Sequence, residues 1–141
     1  MAEGDEIARR SLVILNLCCL NNVLVTIENP ASSRLWMHPG VVLWLRTWGI
    51  NQVLTHYCQW NMPYLKPTRI AGSYEELNLL HRVCAGGHIH QVLRATDEDG
   101  VFLTAKAAAY PMDMCRCWAR AINLAVTRIY SVVVSLDPPI G

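Results

Sequence analysis

Charged residues are scarce in this chain of 141 residues: they make up 16%, against 52% hydrophobic residues. This balance excludes an intrinsically disordered segment and predicts a large apolar interior. The net charge is only +1 at pH 7, so any contact with DNA would need a local basic patch rather than a basic surface overall. The length predicts one domain, which we place at residues 5–136.

The marks of a secreted or membrane protein are also missing. The start Met1-Ala-Glu-Gly-Asp-Glu6 lacks the basic and then apolar regions of a signal peptide, and no Asn-x-Ser/Thr acceptor occurs. Asparagines interrupt the apolar residues 11–27, which also fall short of the ~20 residues of a membrane span. We therefore expect an intracellular protein, cytoplasmic or nuclear, with no membrane segment and with its six cysteines reduced.

The order of predicted elements indicates an α/β fold. Helices are predicted at residues 5–20, 39–48, 74–83 and 104–128, the last interrupted at Pro111, and strands at residues 23–27, 52–57, 68–71 and 130–136. Ser73 and Glu76 have the spacing of a capping box. The first strand is continuously apolar, which is typical of a parallel strand covered on both faces. We therefore expect a mostly parallel sheet flanked by helices.

The most informative motif follows the first predicted strand. Glu28-Asn29-Pro30 ends an apolar run and is followed by two serines and Trp36. Proline has no N–H for a strand ladder and restricts the residue before it, so we expect Pro30 to end the strand with Asn29 extended. Because open α/β sheets bind ligands beyond the carboxyl ends of their strands, Glu28, Asn29 and Pro30 are the candidate catalytic residues.

The ordered set of motifs resembles the C-terminal half of a divergent group of Rossmann-like proteins similar to DNA cytosine-5 methyltransferases, of the mobile-element and protist polyprotein type. The resemblance spans about residues 10–127 and is carried by Glu28-Asn29-Pro30, Ser33, Trp36, Cys58-Gln-Trp60, Lys66-Pro67-Thr68, Cys84, His88, His90 and Thr104-Ala-Lys-Ala-Ala-Ala-Tyr-Pro111. It implies a partial Rossmann-like fold in which Glu28 contacts an extruded cytosine. It also implies that Ser33, Lys66 and Arg69 lie near DNA, the two cations against its phosphates.

Two motifs of that family are missing before Glu28: the Gly-x-Gly turn that binds S-adenosylmethionine and the Pro-Cys nucleophile loop. We therefore expect a partial or degenerate S-adenosylmethionine-dependent DNA methyltransferase-like domain, inactive alone. Its cofactor would bind only once a missing N-terminal half or partner chain is supplied. The alternative is a non-enzymatic α/β interaction or nucleic-acid-binding module, with or without a structural zinc, so whether the chain is an enzyme stays open.

Each of these residues also has an ordinary structural explanation. Glu28 would then cap the next turn or pair with Arg34, and Ser33 would bond the backbone of its own turn. Lys66 and Arg69 would be a solvated edge. Three tryptophans have a spacing that is more typical of a buried stripe in the core than of a base-stacking surface. They are Trp36, Trp44 and Trp48.

A second group of residues suggests a metal. Cys84, His88 and His90 cluster around Gly86-Gly87, and Cys58 or His81 supplies a fourth zinc ligand type. A buried cysteine with hydrogen-bonded histidines is the alternative. Two further motifs have weaker support as sites. Cys115 and Cys117 diverge on a predicted helix, and Asp137-Pro-Pro139 resembles an amino-methyltransferase motif without its aromatic residue.

Overall fold

A computed structural model of the chain describes residues 2–94 and 96–136. The helices and strands in these residues are α1 (Ala2–Leu20), β1 (Thr26–Pro30), α2 (Pro39–Thr47), β2 (Asn51–His56), β3 (Pro67–Gly72), α3 (Leu103–Lys106) and α4 (Met112–Leu136). Short 3-10 helices cover Arg34–Met37, Tyr57–Trp60 and Glu75–Leu80.

The sheet is antiparallel, so the predicted mostly parallel, Rossmann-like sheet is wrong. Its order is β1-β3-β2, and β3 runs antiparallel to both neighbours, with Glu28 opposite Ile70 and Val53 opposite the same residue. β1 and β2 therefore point in the same direction, as the crossover through α2 requires, but β3 lies between them. The connection from β2 to β3 is shorter than the dozen or so residues that a parallel crossover needs.

Both faces of this sheet are covered, so the apolar run at residues 23–27 is explained by burial on two faces and does not require a parallel strand. One face packs against α4 and the 3-10 helix Glu75–Leu80, in a core that includes Tyr57, Ile70, Leu77 and Met114. The other face packs against α1 and α2, in a core that includes Trp36, Trp44 and Ala71. Continuous apolar character reports burial on two faces and carries no information about strand direction.

The predicted helix at residues 5–20 is confirmed, and only part of its apolar surface is buried. Leu15 is buried and Cys18 half-buried, whereas Ile7 and Ile14 are 60% and 62% exposed. The helix ends where expected, because Asn22 adopts the left-handed conformation that closes it. The tryptophan stripe is a core feature at Trp36 and Trp44, both of which are buried.

Two predicted elements differ in the structure. The predicted helix at residues 74–83 is the 3-10 helix Glu75–Leu80, and the Ser73 hydroxyl accepts from the backbone N–H of Val25 instead of capping it. The predicted strand at residues 130–136 is the end of α4. A short β-branched run fits a strand or a buried helix equally well by pattern, and here the helix that begins after Pro111 continues through it.

Candidate metal centre

Four potential metal ligands converge beside the end of β2. Cys58 lies in the 3-10 helix Tyr57–Trp60, and Cys84, His88 and His90 lie in the loop that follows the 3-10 helix Glu75–Leu80. The ligand atoms of these four side chains all lie within 4.8 Å of one another. The structure thus selects Cys58, rather than His81, as the fourth member of the group predicted from sequence.

The edge of β2 positions the first part of this loop. Thr55 forms an isolated parallel bridge with Arg82, and the backbone N–H of His56 donates to the Arg82 carbonyl at 2.8 Å. The backbone N–H of Cys84 then donates to Nδ1 of His56 at 3.0 Å. Burial first, and then the nearby His90 and His81, lower the pKa of His56, which keeps this ring neutral and able to accept that bond.

A glycine turn brings the histidines back to Cys84. Gly86 and Gly87 both have positive φ, +87° and +84°, a conformation that glycine adopts without strain. The backbone N–H of Gly86 donates to the Cys84 sulfur at 3.3 Å. The turn thus brings the backbone that follows Cys84 back towards its sulfur atom, and a cysteine sulfur binds metal as the thiolate.

The distances within the group match a tetrahedral ion. Nε2 of His90 and Nε2 of His88 lie 3.5 and 3.8 Å from the Cys84 sulfur. With Zn–S and Zn–N bonds of about 2.3 and 2.0 Å, a sulfur and a nitrogen on one tetrahedron are separated by about 3.5 Å. The residues present therefore fit zinc in their ligand types, number and spacing.

The environment of the group also suits a metal that binds with loss of protons. Cys58, Cys84 and His90 are half-buried and His88 is exposed. Burial, and then the neighbouring Cys84, raise the pKa of the Cys58 thiol, although a hydrogen bond from Gln59 opposes the rise. A zinc ion would have to displace that proton, so binding should weaken as the pH falls.

The candidate catalytic residue Glu28 lies elsewhere, on the sheet face that packs against α4. Its Oε2 accepts a hydrogen bond from the Tyr110 hydroxyl at 2.7 Å. This bond and partial burial raise the pKa of Tyr110 to about 12. Nearby, Lys66 donates through Nζ to the Ala107 carbonyl at 2.5 Å and lies 4.5 Å from the ring centroid of Tyr57. We call Glu28, Lys66 and Tyr110 the Glu28 cluster.

Arg69, another predicted DNA-contacting residue, lies on the opposite face of the sheet. Asn29 pairs with Arg69 across β1 and β3, and side chains alternate between the faces of a strand, so both point away from Glu28. The Arg69 guanidinium lies 5.2 Å from the Trp36 ring centroid. Ser33 Oγ accepts from the Leu35 N–H, which is the local backbone bond expected from the ordinary explanation. Contact of Ser33, Lys66 and Arg69 with DNA stays a prediction, but these residues do not form one surface.

The strand predicted at residues 23–27 is β1, Thr26–Pro30, so Glu28 lies within the strand rather than beyond its end, although Pro30 does end the strand. The Pro30 carbonyl accepts from the indole N–H of Trp36 at 2.9 Å. Sequence reasoning missed the roles of His56, Tyr57 and Tyr110, because each role is defined by a contact with a distant segment of the chain. Cys115 and Cys117 lie in α4, apart from the metal group. The Asp137-Pro-Pro139 motif lies outside the described residues.

The structure defines a protein with a three-stranded antiparallel sheet, helices on both of its faces, and a candidate Cys2His2 metal centre. Comparisons with known proteins found no matching family model, no similar curated protein and no similar solved structure. In the residues that the structure describes, no helix is both long and apolar enough to cross a membrane. The same residues offer no support for binding of S-adenosylmethionine.

Proposed function

We propose that this chain is a non-enzymatic interaction module that a structural zinc ion holds in its binding conformation. The observation that carries the proposal is the convergence of Cys58, Cys84, His88 and His90, whose ligand atoms lie within 4.8 Å of one another. Two thiolates and two imidazoles are a ligand set that selects zinc among common metals.

A structural rather than catalytic role follows from the number of ligands. Catalytic zinc sites use three protein ligands and leave a position for water or substrate, whereas four protein ligands close the tetrahedron. The zinc would tie the loop that carries Cys84 to the 3-10 helix that carries Cys58. The His56 N–H donates to the Arg82 carbonyl and the His56 ring accepts from the Cys84 N–H, so the start of this loop is already held and the ion would fix mainly its second half.

The zinc-bound loop also offers a surface for a partner. Ile89, between the two histidine ligands, is 97% exposed, and Val92 is 67% exposed. Ile89 would stand out from a loop that zinc holds on both sides of it, and an apolar side chain presented in this way is a feature that a protein partner can cover. Binding through this loop would then depend on zinc even though zinc contacts no partner.

A methyltransferase-like activity has less support. It rested on a Rossmann-like sheet, which the antiparallel order of β1, β3 and β2 replaces. Glu28, its proposed base-contacting residue, is engaged by Tyr110 from within the chain.

The direct test is the metal content of the purified protein. We expect one zinc per chain by elemental analysis and by native mass spectrometry, and a sulfur-to-metal charge-transfer band after replacement by cobalt. Cys84→Ser and His90→Ala should each lose the bound ion. Cys115→Ser/Cys117→Ser is the matched control and should keep it. A wild-type protein without stoichiometric zinc, or a Cys84→Ser protein that retains it, would contradict the proposal.

A further inference from the structure

We infer that the metal centre is also a redox switch, in which a hydroperoxide joins Cys58 to Cys84 through a disulfide bond and the zinc ion leaves. This inference rests on the proposed zinc site and adds to it a mode of regulation. It depends on two sulfurs that the fold brings together from separate segments.

Cys58 and Cys84 are the pair placed to react. Their sulfur atoms lie within 4.8 Å of each other, and a disulfide needs about 2.05 Å between them, a gap that side-chain rotation and a small loop shift can close. Cys58 sits in a short 3-10 helix and Cys84 in a loop, so neither is fixed inside a long helix.

The other four cysteines are held where such pairing is blocked. Cys18 and Cys19 belong to α1, which packs on one sheet face. Cys115 and Cys117 belong to α4, which packs on the opposite face. Adjacent residues and residues two apart on a helix point in different directions, so neither helix offers an internal pair. The sheet separates the two helices.

The reaction balances with hydrogen peroxide as the oxidant. One thiolate attacks a peroxide oxygen, the O–O bond breaks, and the hydroxide that leaves takes a proton to become water, giving a sulfenic acid. The second thiolate attacks that sulfur and displaces a second hydroxide, which also becomes water. The two sulfurs have lost two electrons and the peroxide has gained them. Zinc is left with two imidazole ligands, His88 and His90, which do not retain it.

Oxidation would change the loop without unfolding the domain. The disulfide connects the same two segments that zinc connected, so the loop stays attached through Cys84. The stretch from His88 to His90 loses its anchor, and with it the exposed Ile89 loses its fixed position. The switch would therefore act on the proposed partner surface rather than on stability.

In the test, the zinc-loaded protein is oxidised with hydrogen peroxide, and a colorimetric chelator measures the zinc that is released. Non-reducing peptide mapping after alkylation then identifies the bonded cysteines. We expect release of one zinc per chain, a Cys58–Cys84 disulfide, and return of zinc binding after reduction. The variant Cys18→Ser/Cys19→Ser/Cys115→Ser/Cys117→Ser should behave in the same way. Cys58→His keeps four potential ligands but cannot form the disulfide, so it should retain zinc under the same treatment.

Three results would overturn the switch while leaving the zinc site intact. The protein could keep its zinc after all the peroxide is consumed, or it could release zinc while other cysteines form the disulfide. The third is that Cys58→His releases zinc as fast as wild type. If Cys58→His fails to fold, the mapped disulfide in the variant that lacks the other four cysteines decides the question. Absence of zinc from the reduced wild-type protein is a separate result, which removes the proposed function itself.

Discussion

The metal centre and the Glu28 cluster both bring polar side chains together from distant parts of the chain, but they differ in what those side chains contact. At the metal centre, the Cys84 sulfur faces two imidazole nitrogens at 3.5 and 3.8 Å. In the Glu28 cluster, a hydroxyl donates to a carboxylate at 2.7 Å and an ammonium group donates to a carbonyl.

The metal centre is therefore a candidate binding site, whereas the Glu28 cluster is a set of hydrogen bonds within the fold. Sulfur and imidazole atoms that converge can donate lone pairs to a cation, and the proposed zinc ion would sit among them. Tyr110 and Glu28 complement each other as donor and acceptor and need nothing more. Together with Lys66, they fasten residues 107–110 to the sheet. Glu28, the predicted catalytic residue, thus makes a hydrogen bond within the chain, and its catalytic role stays a prediction.

The largest expected effect is the removal of zinc. An ion that binds only the folded state and is present at 100 times its Kd stabilises a protein by about 2.7 kcal/mol. For a domain of this size, that corresponds to a fall in Tm of about 8 °C on chelation. Differential scanning fluorimetry with and without chelator measures it, and Cys84→Ser should already have the lower Tm and show no response. An equal Tm with and without chelator would mean that the four candidate ligands bind no metal and only form hydrogen bonds with one another.

Breaking the Glu28 cluster should have a smaller effect, and one that zinc does not alter. Tyr110→Phe and Glu28→Gln should each lower the free energy of unfolding by about 1–2 kcal/mol, because a charge-assisted hydrogen bond is lost. In denaturant titrations the double variant should lose less than the sum of the two, as expected for partners in one bond. Zinc content should be unchanged in all three proteins. Loss of zinc in any of them would mean that the two regions are coupled.

The ionisation of Tyr110 gives a pH-dependent form of the same test. The hydrogen bond to Glu28 raises the pKa of Tyr110 from 10.0 to about 12, so the folded protein holds this proton more tightly than the unfolded chain. The resulting stability is fully present below pH 10 and is lost as the pH rises from 10 towards 12. Carbon-13 NMR of labelled tyrosine should show Glu28→Gln lowering this pKa towards 10, with the Tyr110→Phe spectrum assigning the signal. An unchanged midpoint in Glu28→Gln would assign the raised pKa to burial instead.

The smallest effect is expected in the contact between α4 and the 3-10 helix Glu75–Leu80. Arg128 donates to the Glu76 carboxylate at 2.5 Å, and this bond is the main reason why the pKa of Glu76 is lowered. Stability from this pair is present above pH 4.5 and is lost as the pH falls through the lowered pKa. Arg128→Ala should therefore lower the free energy of unfolding only slightly at pH 7, and by less than either change in the Glu28 cluster.

The measurement is denaturant unfolding at pH 7 and at pH 3, with Arg120→Ala, a change of another exposed arginine on α4, as the control. A cost of Arg128→Ala that is as large at pH 3 as at pH 7 would show that packing, not charge, holds this contact.

The sequence by itself determined the local features whose causes lie within a few residues. Pro111 interrupts the C-terminal helical pattern, Asn22 ends α1, and Gly86-Gly87 makes the turn that returns His88 to Cys84. The metal-ligand types were evident for the same reason, since Cys84, His88 and His90 stand close together in the chain.

Only the tertiary structure decided what depends on contacts between distant segments. It placed β3 between β1 and β2. The sequence could not show this, because apolar runs report burial and not strand direction. It chose Cys58 as the fourth ligand and gave Glu28 a partner in Tyr110, far along the chain. Alternation along the strands put Arg69 on the face opposite Glu28. Sequence patterns carry the chemistry of each residue, whereas which residues meet is set by strand pairing and by the packing of helices on each face of the sheet.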